Sequence, residues 1–151
     1  MFLDFALRYD AARGCCDMVF DGHDLVLDRT PVTPMLIALG TDRRARADDE
    51  LPNPETDRLH PITLMGRGGW PGDALDGRAR RIGSRLWLLV RQKQTELVRQ
   101  LAENMVVEAL MILETERGQA VRVTVRWVGQ NRLGILAQVG ATLLRLQQAI
   151  Q

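Results

Sequence analysis

The sequence predicts an α+β fold: a single mixed or antiparallel sheet, built from N-terminal hairpin strands and C-terminal strands and covered by a long amphipathic helix. Apolar residues recur at helical spacing from Leu97 to Leu113, with charged residues on the other side, which predicts the helix. Apolar and polar residues alternate from Ala120 to Val128, as in a strand with one buried face. Near the N-terminus, short alternating runs flank the pair Asp21 and Gly22, which is typical of a hairpin.

The N-terminal part is expected to hold three strands and a short helix. The predicted strands are residues 2–9, 16–20 and 25–27. Thr33 followed by Pro34 favours a helix start, with Thr33 as the N-cap and Pro34 at the first helical position. This helix is expected to end near Gly40 or Asp42.

The second half is expected to contain helices followed by strands. Ser84 is a candidate N-cap for a helix that residues 92–95 interrupt, and Thr95 is a candidate cap for the long helix. Gly118 is a suitable C-terminal stop for that helix. Residues 142–150 fit either a strand or a short helix, and we favour the strand.

The composition is that of one globular domain, residues 1–151, with 46% apolar residues and a net charge of +1. This balance gives no global sign of a nucleic-acid coat or a membrane-surface protein. The N-terminus lacks the basic region of a signal peptide, and no apolar run is long enough to span a bilayer. The adjacent Cys15 and Cys16 pair only with strain, which fits folding in a reducing cytoplasm.

Residues 46–82 form a long segment that is rich in Pro, Gly and Arg and has no sustained apolar period. So long an irregular segment is uncommon in a compact domain unless it binds something or is disordered. The aromatic Trp70 and the many arginines argue against plain disorder. We therefore expect residues 46–82 to be a partner-binding arm.

Arginine makes up nearly all of the basic residues, because Lys93 is the one lysine among 20 Lys and Arg. A GC-rich genome explains the total. Genome composition explains less well why the arginines are clustered. The planar guanidinium group suits ion pairs at interfaces, which is the other explanation of the clusters. The clusters are Arg43, Arg44, Arg46 and Arg78, Arg80, Arg81, Arg85.

Four short motifs occur in a fixed order: Thr41–Ala45, the acidic pair at 48–49, Gly69–Asp73 and Gly83–Leu89. Together they resemble the phage Mu-type tail baseplate wedge family, relatives of the small wedge protein of T4-like phages that initiates the contractile sheath. The resemblance covers nearly the whole chain. It departs from the family at residues 140–146, which lack the aromatic residues expected of a closing strand.

The resemblance implies a structural virion protein of the tail baseplate, assembled in the bacterial host cytoplasm. Its implied partners are other wedge proteins, the central hub and tube proteins and the first ring of sheath subunits, with six copies per baseplate. Neither nucleic acid nor membrane is an implied partner.

The candidate partner-binding residues lie in or next to the irregular segment. They are Arg43, Arg44, Asp49, Trp70, Gly72, Asp73, Arg81 and Arg85. Arg43 and Arg44 either grip a neighbouring subunit or form a solvated charge cluster with nearby carboxylates. Trp70 is either an anchor in a partner's pocket or a cap on the core, and Arg85 is either a buried tether or a surface charge.

Catalytic chemistry finds little support, so no enzyme activity, cofactor or metal is predicted. The carboxylates at 48–50 are consecutive and need not converge. Cys15, Cys16, His23 and His60 match no zinc spacing. Two alternatives stay open: a cell-wall-degrading enzyme carried on the baseplate, and an adaptor of a bacterial contractile injection machine.

Overall fold

The computed structural model describes residues 3–52 and 66–150, so part of the predicted arm lies outside the described residues. The N-terminal elements are strands β1 (Asp4–Phe5), β2 (Leu7–Asp10), β3 (Cys15–Met18) and β4 (Leu27–Asp28), followed by helix α1 (Val32–Gly40). Two 3-10 helices follow, at Pro71–Leu75 and Leu86–Leu89. The C-terminal elements are helix α2 (Glu96–Arg117) and strands β5 (Val121–Gly129), β6 (Arg132–Val139) and β7 (Thr142–Ala149). The α+β class is confirmed, and the last stretch is a strand.

The described strands form three antiparallel sheets instead of the single sheet expected: β1–β4, β2–β3 and β5–β6–β7. The N-terminal strands are only two to four residues long, and they pack on α1 instead of joining the C-terminal ladder. Where the two regions meet, a side chain makes the connection: the Tyr9 hydroxyl donates to the Gln147 carbonyl oxygen at 3.0 Å.

Helix α2 has the caps that the sequence predicts. The Thr95 hydroxyl accepts the Val98 N–H at 3.2 Å, and Gly118 ends the helix in the left-handed region at φ 62°. One face of α2 packs on β5, with Ala102, Val106 and Leu110 fully buried in the core. Burying a side chain such as Leu110 contributes about 2 kcal/mol to stability. In the described part of the chain, no helix is long and apolar enough to cross a membrane.

Helix α1 begins at Val32, ahead of the predicted start at Pro34, and Thr33 is not its N-cap. The capping carboxylate comes from Asp28, whose Oδ2 accepts the Thr33 N–H at 3.0 Å. The buried Thr33 hydroxyl instead accepts the Leu7 N–H at 3.1 Å and lies 3.2 Å from the Phe5 carbonyl oxygen. Thr33 therefore ties α1 to the N-terminal strands, and its hydroxyl also lies 2.9 Å from Oδ2 of the capping Asp28.

Candidate interaction surface at the junction of three motifs

Three of the sequence motifs, far apart along the chain, meet in one place, which we call the motif junction (residues 41–46, 67–69 and 83–87). The Ser84 N–H donates to the Thr41 carbonyl oxygen at 2.9 Å, and the Arg43 N–H donates to the Ser84 carbonyl oxygen at 2.9 Å. The Ala45 N–H donates to the Arg67 carbonyl oxygen at 2.8 Å. These bonds satisfy backbone groups that irregular segments otherwise leave unpaired.

The backbone conformation and the close surroundings of Gly83 explain why the motif at 83–89 begins with glycine. Its φ is +103°, a conformation that residues with a side chain rarely adopt. A Cβ at this position would lie 2.5 Å from the Thr41 carbonyl oxygen and 2.8 Å from the Arg43 nitrogen. Because both contacts are to backbone, the two segments approach this closely only around a glycine.

Side-chain hydrogen bonds from Ser84 and Trp87 also stabilise the motif junction. The buried Ser84 hydroxyl donates to the Leu39 carbonyl oxygen at 3.1 Å, so Ser84 is not the predicted N-cap, and only a short 3-10 helix follows it. Its hydroxyl is used to satisfy a carbonyl near the end of α1. The Trp87 indole N–H donates to the Arg43 carbonyl oxygen at 2.8 Å, and its ring packs against the core.

An ion-pair network of arginines and carboxylates lies beside the junction. Arg85 Nη1 lies 2.6 Å from Asp49 Oδ1, and Arg85 Nη2 lies 2.8 Å from Glu108 Oε2 on helix α2. Glu108 also binds Arg46 at 2.8 Å and lies 3.9 Å from Arg43. The side chain of Arg85 is only 11% exposed, so this pairing is shielded from solvent far more than an ordinary surface pair.

The network sets the charge state of its two carboxylates. Partial burial alone would raise the pKa of Asp49, but the Arg46 N–H and the Arg85 guanidinium outweigh it and lower the pKa. Burial alone would also raise the pKa of Glu108. The hydrogen bonds from Arg85 and Arg46 outweigh it and lower the pKa. Both groups are therefore carboxylates at neutral pH.

This shift predicts acid sensitivity. Since the folded-state pKa values of Asp49 and Glu108 lie below the unfolded values of about 4, their contribution to stability is complete above about pH 5. It is lost as the pH falls through about 4 toward the folded-state pKa values. We expect the Tm of Glu108→Gln to fall less between about pH 6 and pH 3 than that of the unaltered protein, by calorimetry. Glu114→Gln, an exposed position on the same helix, should leave the steeper slope unchanged.

The Gly69–Asp73 motif folds into a compact turn that ends in the 3-10 helix Pro71–Leu75. A Cβ on Gly72 would lie 2.2 Å from the Trp70 ring, so the indole lies directly over Gly72. The ring stays 49% exposed and does not cap the core. Asp73 Oδ1 accepts the Ile82 N–H at 3.1 Å, while its buried Oδ2 has no hydrogen-bond partner among the described residues.

Comparison with known proteins places this chain in a family. The family model of phage protein GP46 matches residues 31–145, which include the whole motif junction. The chain belongs to the GP46 family. It is similar to baseplate protein gp46 of Escherichia phage Mu, with 40% identity over 112 residues, covering 74% of this chain and 68% of that protein. The resemblance inferred from the sequence motifs is thereby confirmed.

In this GP46-family chain, the remaining predicted site residues divide into two groups. Arg43, Asp49 and Arg85 are joined within the chain through the network with Glu108. Arg44, for its part, is partly buried against Gly69.

The second group is more accessible. Trp70 is half-exposed in its turn, and Arg81 is exposed and forms no ion pair within the described residues. The role of either residue in binding a partner stays a prediction.

The sequence interpretation misses Glu108, the carboxylate at the centre of the network. It assigns this residue to the polar face of α2, yet Glu108 is the one charge in the apolar run Met105–Met111. An isolated carboxylate inside an apolar run indicates a partner brought from elsewhere, because an unpaired charge there would be costly. The sequence contains that signal, although it does not show which arginine forms the ion pair with Glu108.

The residues considered for a metal do not converge in the described part of the GP46-family chain. There, no group of three or more His, Cys, Asp and Glu is arranged to hold an ion. His60 lies outside the described residues. Partial burial, followed by the neighbouring Cys15 and Asp17, raises the pKa of the Cys16 thiol, which keeps it protonated at neutral pH.

Proposed function

We propose that this protein is a structural wedge component of a contractile phage tail baseplate, which joins the wedge to the hub and initiates the sheath. The observation that carries the proposal is membership of the GP46 family together with the similarity to a protein named as a baseplate protein of phage Mu. The proposal assigns the chain no catalytic role.

The motif junction supports a structural role. Its arginines bind the chain's own carboxylates, so the network braces the body and positions a compact surface for other subunits. The described parts of residues 46–82 are attached to the body by Arg46 and by the pair between Arg80 and Glu116. A braced surface loses less conformational freedom on binding than a flexible one, which favours assembly.

Deletion of the gene in a phage that encodes this chain tests the wedge and sheath proposals together. We expect lysates to contain heads and tail tubes without an ordered baseplate or an extended sheath, and expression of the unaltered chain in trans should restore both. Negative-stain electron microscopy gives the readout. Complete contractile tails in the deletion strain would contradict the proposal.

Trp70 is the residue at which we expect a partner contact to be most sensitive. Half-exposed tryptophans that become buried in an interface commonly contribute about 2 kcal/mol or more. Trp70→Ala should therefore weaken co-purification with the neighbouring wedge protein at least tenfold while leaving the Tm nearly unchanged. Lys93→Ala, at an exposed position outside the junction, is the matched control. Equal recovery of both variants would remove Trp70 from the proposed interface.

The sheath contact is proposed at the free edge of β5. In the described sheet, β5 pairs with β6 on one side and with no strand on the other. Apart from the Val125 carbonyl oxygen, which accepts the Arg99 guanidinium at 2.9 Å, this nine-residue edge offers backbone groups to which a sheath segment can add as a further strand. Hydrogen exchange of the β5 amides should slow after sheath assembly, and unchanged exchange rates would count against strand addition.

A further inference from the structure

The side of helix α2 that points away from the core is apolar. Residues three, four and seven apart lie on one face of a helix, and five such residues line this outer side, which we call the α2 stripe (Leu97, Leu101, Asn104, Val107 and Met111). In chain order, its four apolar side chains are 65%, 40%, 38% and 48% exposed. An amphipathic helix normally places charged residues opposite its buried face, so the α2 stripe indicates a second contact surface.

The α2 stripe is symmetric about Asn104. Its apolar members lie three and seven residues away on each side, with Leu101 and Leu97 before Asn104 and Val107 and Met111 after it. When a second copy of the helix lies antiparallel with Asn104 on a two-fold axis, each residue before Asn104 faces the residue equally far after it. Leucine then meets valine or methionine throughout, so the stripe is complementary to itself.

The polar residue at the centre is also complementary to itself. The Asn104 amide has an acceptor oxygen and a donor nitrogen, so two copies that meet on a two-fold axis can exchange hydrogen bonds. Its side chain is exposed and has no hydrogen-bond partner among the residues that the structure describes. A single asparagine in an apolar contact between helices fixes their register. Asn104 therefore favours one alignment of the two copies.

Most charges beside the α2 stripe are neutralised within the chain. A contact between identical surfaces brings like charges together, so unpaired carboxylates there would repel. Arg99 binds Glu96 at 2.7 Å and Glu103 at 2.6 Å, and Glu108 belongs to the ion-pair network at the motif junction. Glu114, which forms no ion pair within the described residues, lies about one turn beyond the stripe. Two copies of this surface therefore meet with little repulsion.

We propose that two copies of this chain pair antiparallel through the α2 stripe, with Asn104 of each copy on the two-fold axis. Leu97 of one copy then packs on Met111 of the other, and Leu101 packs on Val107. From residue 97 to residue 111 the contact spans about 21 Å of helix. The inference goes beyond the proposed function and does not rest on it, because it concerns two copies of this chain alone.

A pair of this kind belongs to the free chain. Contacts between neighbouring copies around a ring are heterologous, whereas this contact uses the same surface on both copies. The pair therefore forms before the chain joins a tail that holds its copies in a ring. Until then it shields the α2 stripe from water and from unspecific association.

Sedimentation equilibrium of the purified chain tests the pairing. We expect a monomer–dimer equilibrium that does not weaken as salt is added, because salt screens charges and not apolar contacts. The variant Leu97→Glu/Met111→Glu should weaken the dimer at least tenfold, since pairing would bury its carboxylates, and should keep native circular dichroism. Leu75→Glu/Leu143→Glu, the same change at exposed positions outside α2, should dimerise like the unaltered chain.

Disulfide cross-linking tests the alignment. In a chain that carries Cys15→Ser/Cys16→Ser, the variant Asn104→Cys should cross-link to itself under mild oxidation, because both copies hold residue 104 at the axis. Leu97→Cys should not cross-link to itself, since the two copies of residue 97 lie about 21 Å apart along the helices. A mixture of Leu97→Cys and Met111→Cys should give the mixed dimer.

Several results would overturn the proposal. These are an unaltered chain that stays monomeric at its solubility limit, a Leu97→Glu/Met111→Glu variant that dimerises like the unaltered chain, or self-cross-linking of Leu97→Cys as readily as of Asn104→Cys. A monomeric unaltered chain that binds another tail protein through the α2 stripe would assign the stripe to that protein. Because the gene deletion tests assembly of the tail and this experiment uses the isolated chain, failure of one is distinguishable from failure of the other.

Discussion

Replacement of Gly83 by alanine is expected to lower the free energy of unfolding by about 2 to 6 kcal/mol. A left-handed backbone conformation in a residue with a Cβ costs about 1–3 kcal/mol, and overpacking adds about 1–3 kcal/mol. The Cβ would meet backbone atoms of residues 41 and 43, which no side-chain rotation can relieve. Urea unfolding followed by circular dichroism measures the change, and loss of soluble protein would be consistent with it.

Two glycines separate the causes of that loss. Gly118 also has a positive φ, 62°, but a Cβ added there would meet nothing within 4 Å, so Gly118→Ala should cost about 1 kcal/mol. Gly40 has neither a positive φ nor a nearby atom, and Gly40→Ala should change stability by less than about 0.5 kcal/mol. If Gly83→Ala were no worse than Gly118→Ala, the close approach at the motif junction would not be a constraint.

Replacement of Arg85 by alanine should cost about 3 kcal/mol. It leaves Asp49 and Glu108 without their shared guanidinium, and removing one partner of a shielded ion pair is far more damaging than removing an exposed one. Thermal unfolding at neutral pH measures the loss. Arg81→Ala, at an exposed position in the same arginine cluster, should change stability by less than about 0.5 kcal/mol.

A double-mutant cycle between Arg85 and Glu108 isolates the pair itself. The double variant Arg85→Ala/Glu108→Ala is expected to be less destabilised than the sum of the two single variants, because each single variant already loses the Arg85–Glu108 pairing and the sum counts that loss twice. Additive losses would mean that the two side chains act independently, despite the 2.8 Å separation between Arg85 Nη2 and Glu108 Oε2.

The elements that the sequence predicts well are those set by local pattern. The caps of α2, Thr95 and Gly118, and the alternation along β5 depend on residues within a few positions of one another. The same reasoning assigns Thr33 and Ser84 to helix caps, and there it is wrong. Their hydroxyls bind carbonyl oxygens 28 and 45 residues away, and only the folded chain brings those partners close.

The sequence singles out several residues of the candidate site, but it does not predict how those residues contact one another. The motifs indicate that residues near 43, 70 and 85 act together, but the sequence does not show that Asp49 and Arg85 bind each other or that Glu108 joins them. The number of sheets also escapes prediction, because strand pairing depends on which long-range partner packs best. Short strands such as β1 and β4 have too few residues to specify that partner.

The hydrogen bond from Ala45 to Arg67 has a consequence for how this chain tolerates change. It holds residues 45 and 67 at one point on the body, so a longer chain between them still has to leave and return at the same place, and the added cost is the entropy of closing a longer loop. That entropy grows slowly, by about 0.6 kcal/mol for each doubling of length. Insertions that keep Arg46 and Asp49 in the ion-pair network are therefore expected to cost little more than this entropy, whereas exchange of the whole stretch 46–66 would remove both residues from the network.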